Sequence, residues 1–318
     1  MILKICLIVI ASLLILYYIL CLVIYNKIFG KSNLTEKDIN KWINSIKNET
    51  FKETVLTNMN NLKKIKKEEV FINSYDNKKL NGYLCMNSEY ININNDSIVI
   101  FCHGFHSQYE FDFSLSGVDF YKQGYNMLFI DQRAHQKSKG KNVTFGIKER
   151  YDVLNWIKYI NDRFSNTKKI ILCGLSMGAS TVMYTLPLIK DNNVIGAICD
   201  CGYDNPYKEL EYMAKEKVGF LSNLLLPMIN LLFIIRNGES LKIINTKDTL
   251  KDNKIPILII HGENDKMVPV ENAKRNYDNA SNLKDILIVK NATHATSYLF
   301  DNKLYSNKVD EFLKTIRH

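Results

Sequence analysis

The sequence has little proline or glycine and lacks the cysteine pairs typical of zinc sites. Its 318 residues include 5 Pro and 14 Gly, which excludes collagen-like and proline-rich scaffolds. The seven cysteines contain no C-x-x-C pair, which argues against a cysteine zinc site, and they do not form the framework of a small disulfide-rich domain. Most lie in apolar segments, where a free cysteine packs as a small hydrophobic residue. The pattern favours reduced, buried cysteines.

The chain also lacks a zinc-finger or RNA-binding motif, although its net charge is positive. It has 42 Lys and Arg residues against 33 Asp and Glu residues, a net charge of +9, and the acids are spread among the bases. Hydrophobic residues make up 46% and charged residues 24%, an ordinary globular composition that excludes wholesale disorder. We therefore expect a folded protein of at most about two domains that does not bind nucleic acid.

One long uncharged apolar run lies at the N-terminus, from Ile5 to Tyr25. At about 1.5 Å per residue, a helix of this length spans the roughly 30 Å hydrocarbon core of a membrane. Residues 26–31 offer no small-residue cleavage motif of the kind that follows a signal peptide. We expect residues 1–26 to be a transmembrane anchor. A cleaved signal peptide and a buried helix of a soluble protein are the alternatives.

The charges beside this run predict its orientation. Only Lys4 and the terminal amine precede it, whereas four lysines follow it between positions 27 and 41. The positive-inside rule then places the rest of the chain in the cytoplasm, with the opposite orientation left open. Residues 27–68 are polar, with apolar residues at helical spacing in places, and predict a partly helical linker. Residues 69–318 form the expected main domain.

From residue 69 onward, short apolar runs alternate with helical patterns. The first two runs flank a turn and predict a β-hairpin. Six more apolar runs lie at 97–102, 126–130, 169–173, 194–199, 257–260 and 285–289. Continuous apolar strands alternating with helices indicate an α/β fold, a mostly parallel sheet with helices on both faces. Such sheets bind ligands beyond the carboxyl ends of their strands, so the site is expected at that edge.

Residues 203–249 interrupt this alternation and are too long for one crossover connection. Within them, the segment 220–235 is strongly apolar. We expect a helical lid over the site with its apolar face toward the substrate, and Leu225 and Phe233 among the residues that contact it. A second transmembrane span is the alternative, but Pro227 and the short apolar length argue against it.

A G-x-S-x-G motif occupies residues 174–178, directly after a predicted strand and directly before a predicted helix. In this context the glycines permit a sharp turn that exposes the hydroxyl oxygen of Ser176. A serine hydroxyl is a poor nucleophile unless a base is adjacent, and the N-terminus of the following helix stabilises developing negative charge. The motif predicts Ser176 as a catalytic nucleophile.

The acid and the base should follow the serine in the order Ser, Asp, His. Asp265 lies in the loop after one predicted strand and His294 in the loop after the last, so both reach the same edge of the sheet. We expect Asp265 to orient His294, with Glu263 as the alternative acid. His103 and His261 each precede a glycine at a strand end, which favours structural roles in turns.

The loop 103–106 follows another predicted strand and reads H-G-F-H. Acyl transfer develops a negative oxygen that two backbone N–H groups must stabilise. The N–H of Met177, next to the nucleophile, and the N–H of Phe105 are the predicted donors of this oxyanion hole. In the neighbouring loop, Asp131 and Arg133 are expected to form an ion pair that holds the loop in place.

Five motifs in this order, H-G-F-H, D-Q-R-A-H-Q-K-S, G-L-S-M-G, H-G-E-N-D-K-M-V-P and A-T-H-A-T-S-Y, resemble the α/β-hydrolase superfamily. The chain looks most similar to bacterial, often membrane-anchored members of its serine aminopeptidase-like group, and the resemblance covers residues 69–318. It implies the same nucleophile, acid, base and oxyanion-hole donors as those named above. Members often have D-x-R-G-H-G-x-S, whereas Ala134 and Gln136 replace those two glycines here, which leaves the backbone conformation of that loop open.

The expected function is that of a membrane-tethered serine hydrolase, most similar to a carboxylesterase, acting on a small acyl-ester or lipid-like substrate. Such chemistry needs no metal or organic cofactor. The superfamily also contains thioesterases, lipases, acyltransferases and peptidases, so the fold alone does not choose the substrate. A thioesterase, acyltransferase or peptidase of the same fold is one alternative, and a non-catalytic membrane scaffold is another.

Overall fold

The computed structural model describes residues 1–281 and 283–317. Its β-strands are β1 (Glu68–Asn73), β2 (Lys79–Cys85), β3 (Ser97–Cys102), β4 (Asn126–Ile130), β5 (Lys169–Leu175), β6 (Val194–Asp200), β7 (Ile257–Gly262) and β8 (Lys284–Val289). They form one sheet in the order β1-β2-β4-β3-β5-β6-β7-β8. The pairs β1–β2 and β2–β4 are antiparallel, and all the others are parallel.

The α-helices of the described residues lie on both faces of the sheet and at its carboxyl edge. They are α1 (Ile2–Phe29), α2 (Glu36–Ser45), α3 (Glu49–Lys64), α4 (Tyr109–Asp112), α5 (Ser114–Lys122), α6 (Glu149–Arg163), α7 (Met177–Thr185), α8 (Pro206–Val218), α9 (Ser222–Asn237), α10 (Thr246–Leu250), α11 (Glu271–Asn279), α12 (Ser297–Phe300) and α13 (Asn302–Thr315). A short 3₁₀ turn, Gly219–Leu221, joins α8 to α9.

The central strands are buried on both faces, which is why their sequences are continuously apolar. Every residue of β3 and β4 is buried. One side of the sheet packs against a core that includes Trp156 of α6. The other packs against a core that includes Phe101 and Phe129 of the sheet and Phe312 of α13. The expected fold, a mostly parallel sheet covered by helices, is confirmed.

The N-terminal apolar run forms α1, whose two ends have different surroundings. Residues 1–16 are exposed along their whole length. Toward the C-terminal end, Tyr25 and Phe29 are fully buried. The ring of Phe29 lies 5.5 Å from that of Phe145 and 5.0 Å from that of Phe233, measured between centroids. The last third of α1 is therefore built into the folded domain.

The segment 27–68, expected to be a partly helical linker, contains α2 and α3, and both pack on the domain. Leu62 of α3 is fully buried. Trp42 of α2 meets the ring of Phe111 edge-on at 4.3 Å, and Phe51 of α3 lies 5.4 Å from Phe300. These contacts fix α2 against α4 and α3 against α12.

The insertion 203–249 is helical, and α8 and α9 form a hairpin that leaves the domain and returns to it. A hydrogen bond of 2.7 Å joins the two ends of the insertion, with the side chain of Asn205 as donor and the carbonyl of Ile244 as acceptor. The chain reverses at Gly219, where φ is +57°. By length and composition, the hairpin segment 206–237 and helix α1 are both long and apolar enough to cross a membrane.

Candidate active site

Ser176 lies at a sharp turn between β5 and α7, with φ 54° and ψ −118°, a conformation that non-glycine residues adopt rarely. The turn is packed so closely that its flanking glycines are required. A Cβ atom on Gly178 would lie 1.8 Å from the carbonyl oxygen of Cys102, and one on Gly174 would lie 2.4 Å from the carbonyl oxygen of Gly178. The backbone N–H of Ser176 donates to the carbonyl of Asp200 at 2.8 Å.

The structure brings the three predicted side chains together in one hydrogen-bonded chain. The Oγ atom of Ser176 lies 2.9 Å from Nε2 of His294. On the other side of the ring, Nδ1 of His294 lies 2.7 Å from Oδ2 of Asp265. Because a carboxylate only accepts hydrogen bonds, Nδ1 carries the hydrogen and Nε2 is left to accept the serine proton.

Asp265 is buried and receives several hydrogen bonds. Its Oδ1 atom accepts from the backbone N–H groups of Met267 at 2.8 Å and Val268 at 2.9 Å. Burial alone would raise the pKa of this carboxyl, but the hydrogen bonds from His261 and His294 hold the pKa well below its usual range. Asp265 is therefore ionised, as a residue that orients and stabilises a protonated imidazole must be.

Glu263, the alternative acid, occupies a different environment. Its side chain is exposed and accepts a hydrogen bond of 3.1 Å from the backbone of Asn291. Of the two acids considered from the sequence, Asp265 is therefore the one that contacts His294.

The loop that carries Phe105 lies directly against the serine turn. A Cβ atom on Gly104 would lie 3.5 Å from Cβ of Ser176. Met177 is the first residue of α7, where backbone N–H groups lack partners within the helix. Within residues 1–281 and 283–317, neither the Phe105 N–H nor the Met177 N–H donates a hydrogen bond to another protein group. Both are available to stabilise a negative oxygen.

Two buried histidines connect this loop to the loop that follows β4. The Nε2 atom of His103 accepts from the backbone of Gln132 at 3.0 Å, while its Nδ1 lies 2.8 Å from the Gly104 carbonyl. The Nε2 atom of His135 accepts from the backbone of His106 at 3.1 Å. Burial lowers the pKa of His103 to about 4 and that of His135 well below its usual value. Both are therefore neutral residues that hold the loops together.

Arg133 forms different ion pairs from the one expected. Its guanidinium contacts Asp152 of α6 at 2.6 Å and Asp76 at 3.3 Å. Asp131 instead accepts a hydrogen bond of 3.0 Å from Asn81 of β2. The expected pair of Asp131 with Arg133 is wrong, because Asp152 offers the buried guanidinium two oxygens at once, the geometry that arginine prefers.

The two departures from the superfamily pattern keep a glycine-like backbone. Ala134 has φ 59° and Gln136 has φ 42°, so both lie in the left-handed region that favours glycine. Hydrogen bonds to Ser32 support this conformation. The Ser32 N–H donates to the Ala134 carbonyl at 2.8 Å, and the Gln136 N–H donates to the Ser32 carbonyl at 3.0 Å.

A groove of about 880 Å³ lies beside His294. One wall is the α8 helix, and the other is formed by the loops that follow β7 and β8. The hydroxyl of Tyr212 on α8 donates to the carbonyl of Lys266 at 3.2 Å, which joins the two walls. Leu225 and Phe233, which were expected to contact substrate, do not line this groove. Phe233 is fully buried, and the apolar face of α9 covers the end of α1.

One group of potential metal ligands occurs among the described residues, namely Cys201, Asp265 and His294, whose ligand atoms lie within 4.8 Å of one another. Asp265 and His294 already bind each other. Burial raises the pKa of the Cys201 thiol well above its usual value, so forming the thiolate that a metal requires would be costly here. These residues are a poor fit for a metal ion.

Asp112, at the end of the short helix α4, is a part of the site that the sequence interpretation missed. Its Oδ2 atom accepts from the backbone N–H of Gly104 at 2.6 Å, and its Oδ1 atom accepts from the hydroxyl of Ser107 at 2.6 Å. Burial raises the pKa of this carboxyl to about 6, against the opposing effect of these hydrogen bonds. The only signal in the sequence is an aspartate shortly after the H-G-F-H loop.

Comparisons with known proteins agree with this geometry. A family model described as serine aminopeptidase, S33, matches residues 93–247, and a model described as TAP-like protein matches residues 241–317. The uncharacterized protein YqkD of Bacillus subtilis (strain 168) is 27% identical over 190 residues, 60% of this chain. The aligned region spans 62% of the length of that relative.

Solved structures show the same architecture. The Pyrococcus furiosus esterase Pf2001 is 26% identical, with a TM-score of 0.64 over 79% of this chain and 91% of its own. Est1E from Butyrivibrio proteoclasticus, solved with ferulic acid, is 20% identical with a TM-score of 0.59 over 77% and 98%. The acylaminoacyl peptidase of Pyrococcus horikoshii is 18% identical with a TM-score of 0.55 over 82% and 43%. The chain therefore belongs to the α/β-hydrolase superfamily.

Proposed function

We propose that this protein is a membrane-tethered serine hydrolase that cleaves carboxylic ester bonds through an acyl-enzyme. The similarity to esterases and other α/β-hydrolases supports a hydrolase of the ester-cleaving type. The observation that carries the finer proposal is the hydrogen-bonded chain from Ser176 through His294 to Asp265. It lies at the carboxyl edge of the sheet, beside a groove that can hold a substrate.

In the first half of the reaction, the Ser176 oxygen attacks the ester carbonyl carbon and forms a C–O bond, while Nε2 of His294 takes the hydroxyl proton. The carbonyl oxygen becomes negative and accepts hydrogen bonds from the N–H groups of Phe105 and Met177. Asp265 stabilises the imidazolium without taking its proton. His294 then gives the proton to the leaving alcohol as the substrate C–O bond breaks.

In the second half, water hydrolyses the acyl-enzyme. His294 takes a proton from the water as its oxygen attacks the acyl carbon. The bond to Ser176 then breaks, and the serine oxygen recovers a proton from His294. The products are a carboxylic acid and the free enzyme. Replacing the water by another acceptor would give an acyltransferase, so the acceptor distinguishes these two activities.

Cleavage of an amide bond is the second candidate. The family model that matches residues 93–247 is described as a serine aminopeptidase, and its reaction uses the same type of nucleophile. The esterase Pf2001 is aligned over 91% of its length, which favours ester cleavage. An amide leaving group is harder to expel, and a serine peptidase also cleaves activated esters, so measurable turnover of the amide separates the two candidates.

The test compares p-nitrophenyl esters with p-nitroanilides of amino acids, using the full chain in detergent. We expect ester turnover well above amide turnover, and a loss on the order of 10⁴-fold or more in Ser176→Ala. Ser165→Ala is the matched control, because Ser165 also has a positive φ of 50° but is exposed in a turn. Undiminished ester turnover in Ser176→Ala would contradict the proposal, and anilide turnover comparable to ester turnover would favour a peptidase.

The proposed tether is α1, retained in the mature protein. Its support is the uncharged apolar run, together with the burial of Tyr25 and Phe29 in the domain, which a cleaved segment would not need. The intact mass of the membrane-extracted protein tests it, and a mature N-terminus beyond residue 20 would contradict it. A cytoplasmic catalytic domain stays a prediction, which protease digestion of intact cells and of inverted vesicles can decide.

A further inference from the structure

The α8–α9 hairpin lies against the anchor helix, and the contacts define the direction of α9. The hydroxyl of Tyr17 donates to the carbonyl of Leu224 at 2.7 Å. Thirteen residues farther along α9, the side chain of Asn237 donates to the hydroxyl of Tyr25 at 2.9 Å. Because the earlier residue of α1 meets the earlier residue of α9, the two helices run in the same direction. The hairpin tip is therefore level with Tyr17, in the middle of the apolar run.

The length of α1 then determines how deep this tip lies. A helix needs about 20 residues to cross the roughly 30 Å hydrocarbon core, so a span that begins at Ile5 ends near Ile24. Tyr17 lies seven residues before that end, about 10 Å along the helix axis. An α1 that spans the membrane therefore carries the start of α9 about 10 Å into the hydrocarbon. A tilted α1 would need more residues and would draw the tip deeper.

The surface of the tip suits this environment. Phe220 is 82% exposed, Leu221 45% and Leu224 60%, although each is strongly apolar. No charged residue occurs between Val218 and Ile235. In water, such a patch on a monomer is unusual and marks an interaction site. Here it continues the exposed apolar surface of α1, so one bilayer can cover both.

The groove beside His294 leads to this tip. Its α8 wall consists of Tyr212, Met213, Glu216 and Lys217, in order from the catalytic centre toward the hairpin turn. From Tyr212 to the turn is about eight residues of helix, or roughly 12 Å. When the tip lies about 10 Å deep, the groove therefore opens close to the surface of the bilayer.

We propose that the α8–α9 hairpin inserts its tip into the bilayer beside α1 and that the groove receives an acyl amphiphile directly from the membrane. The inference rests on the proposed anchor and hydrolase function and adds the source and class of the substrate. The ester lies at the level of His294, where the headgroup region meets the groove. The acyl chain stays in contact with the apolar hairpin and the hydrocarbon.

The insertion is tested on the full chain in phosphatidylcholine vesicles whose lipids carry bromine on the acyl chains. Phe220→Trp places a fluorophore at the tip, and Ile91→Trp is the matched control, because Ile91 is 77% exposed in the loop before β3. We expect the bromolipids to quench the fluorescence of the tryptophan at 220. The Ile91→Trp variant should show no more quenching than the parent chain. Equal, unquenched emission at both positions would overturn the proposal.

The substrate class is tested by the ratio of turnover of a long-chain ester in the same vesicles to that of p-nitrophenyl acetate. We expect Phe220→Ser with Leu224→Ser to lower this ratio about tenfold, because two apolar contacts with the bilayer are lost. Ile91→Ser should not change it. An unchanged ratio overturns the inference while leaving the hydrolase intact, whereas inactivity of the parent on both esters contradicts the proposed function itself.

A second copy of the chain is the other candidate to cover the tip. If it covers the tip, the tryptophan at 220 stays unquenched, and Phe220→Ser converts a dimer in detergent into a monomer. That combination of results would assign the hairpin to a protein interface and overturn the bilayer proposal.

Discussion

The Nε2 atom of His261 lies 3.3 Å from the Oδ2 atom of Asp265, the oxygen that also contacts His294. The same Nε2 lies 2.8 Å from the carbonyl of Val268. Since both neighbours only accept hydrogen bonds, Nε2 carries a hydrogen that points between them. His261, which the sequence assigned to a turn, is therefore a second histidine in contact with the Asp265 carboxylate.

We predict that His261 positions Asp265 for catalysis. His261→Phe should lower kcat about tenfold to a hundredfold, the equivalent of one hydrogen bond to a charged group, and leave KM unchanged. Loss of this donor removes one of the hydrogen bonds that hold the Asp265 carboxylate in place behind His294. His261→Gln, which restores an N–H donor, should recover part of the activity. A change in KM alone would contradict this role.

Asp112 is predicted to favour activity at the expense of stability. Because burial raises its pKa from 3.8 to about 6 in the folded chain, its ionisation disfavours folding. That cost amounts to at most about 3 kcal/mol. It is complete above about pH 6 and disappears as the pH falls below about 4. Asp112→Asn keeps the shape and the acceptor for Gly104 but removes the charge.

Asp112→Asn should therefore raise the Tm at pH 8 and bring no gain at pH 4. Its kcat should fall about threefold to tenfold, because a negative charge near the imidazolium of His294 is lost. Thermal unfolding at the two pH values and ester turnover at pH 8 measure both effects. Glu263→Gln is the control, since Glu263 is exposed. A lower Tm at pH 8 would show that the ionised carboxyl stabilises the fold.

The serine turn is predicted to tolerate no side chain at Gly178. Gly178→Ala would put a methyl group 1.8 Å from a backbone oxygen, so the turn or β3 must move. We expect a loss of several kcal/mol, about 3 or more, or no folded protein. Gly238→Ala is the control, because Gly238 has φ 81° with open space around it. It should cost only about 1 kcal/mol in urea unfolding, and equal losses would contradict the packing argument.

The end of α1 is predicted to be part of the folded domain. Removing residues 1–16 deletes only exposed residues and should leave the Tm of the detergent-solubilised domain unchanged. Removing residues 1–29 uncovers Phe145 and Phe233 and should lower the Tm by many degrees or cause aggregation. The point variant Phe29→Ala should cost about 3–5 kcal/mol. A 1–29 deletion as stable as the full chain would show that the end of α1 is not part of the folded domain.

The sequence predicted the sheet well because its strands are buried on both faces. Six continuous apolar runs, each followed by polar or glycine residues, leave few alternatives to a parallel sheet. The carboxyl-edge rule then brings together residues as distant in sequence as Ser176 and His294. The order and spacing of motifs were therefore enough to choose the candidate site.

The parts that the sequence could not predict depend on which surfaces meet. The apolar residues of α9 indicate that the helix must be covered, but not whether substrate or α1 covers it, and Phe233 was assigned to the wrong partner. Several acids in the sequence could pair with Arg133, and only the position of α6 in the fold selects Asp152. Asp112 contacts the backbone of Gly104, and His261 contacts Asp265 behind His294. Neither contact produces a recognisable motif in the sequence.

The residue that a fluorophosphonate labels covalently tests directly whether Ser176 is the nucleophile. We predict one adduct per chain on the tryptic peptide that contains Ser176, no adduct in Ser176→Ala, and much slower labelling in His294→Ala, whose serine has lost its base. An adduct on another residue, or equal labelling of Ser176→Ala, would contradict the assignment of Ser176 as the nucleophile.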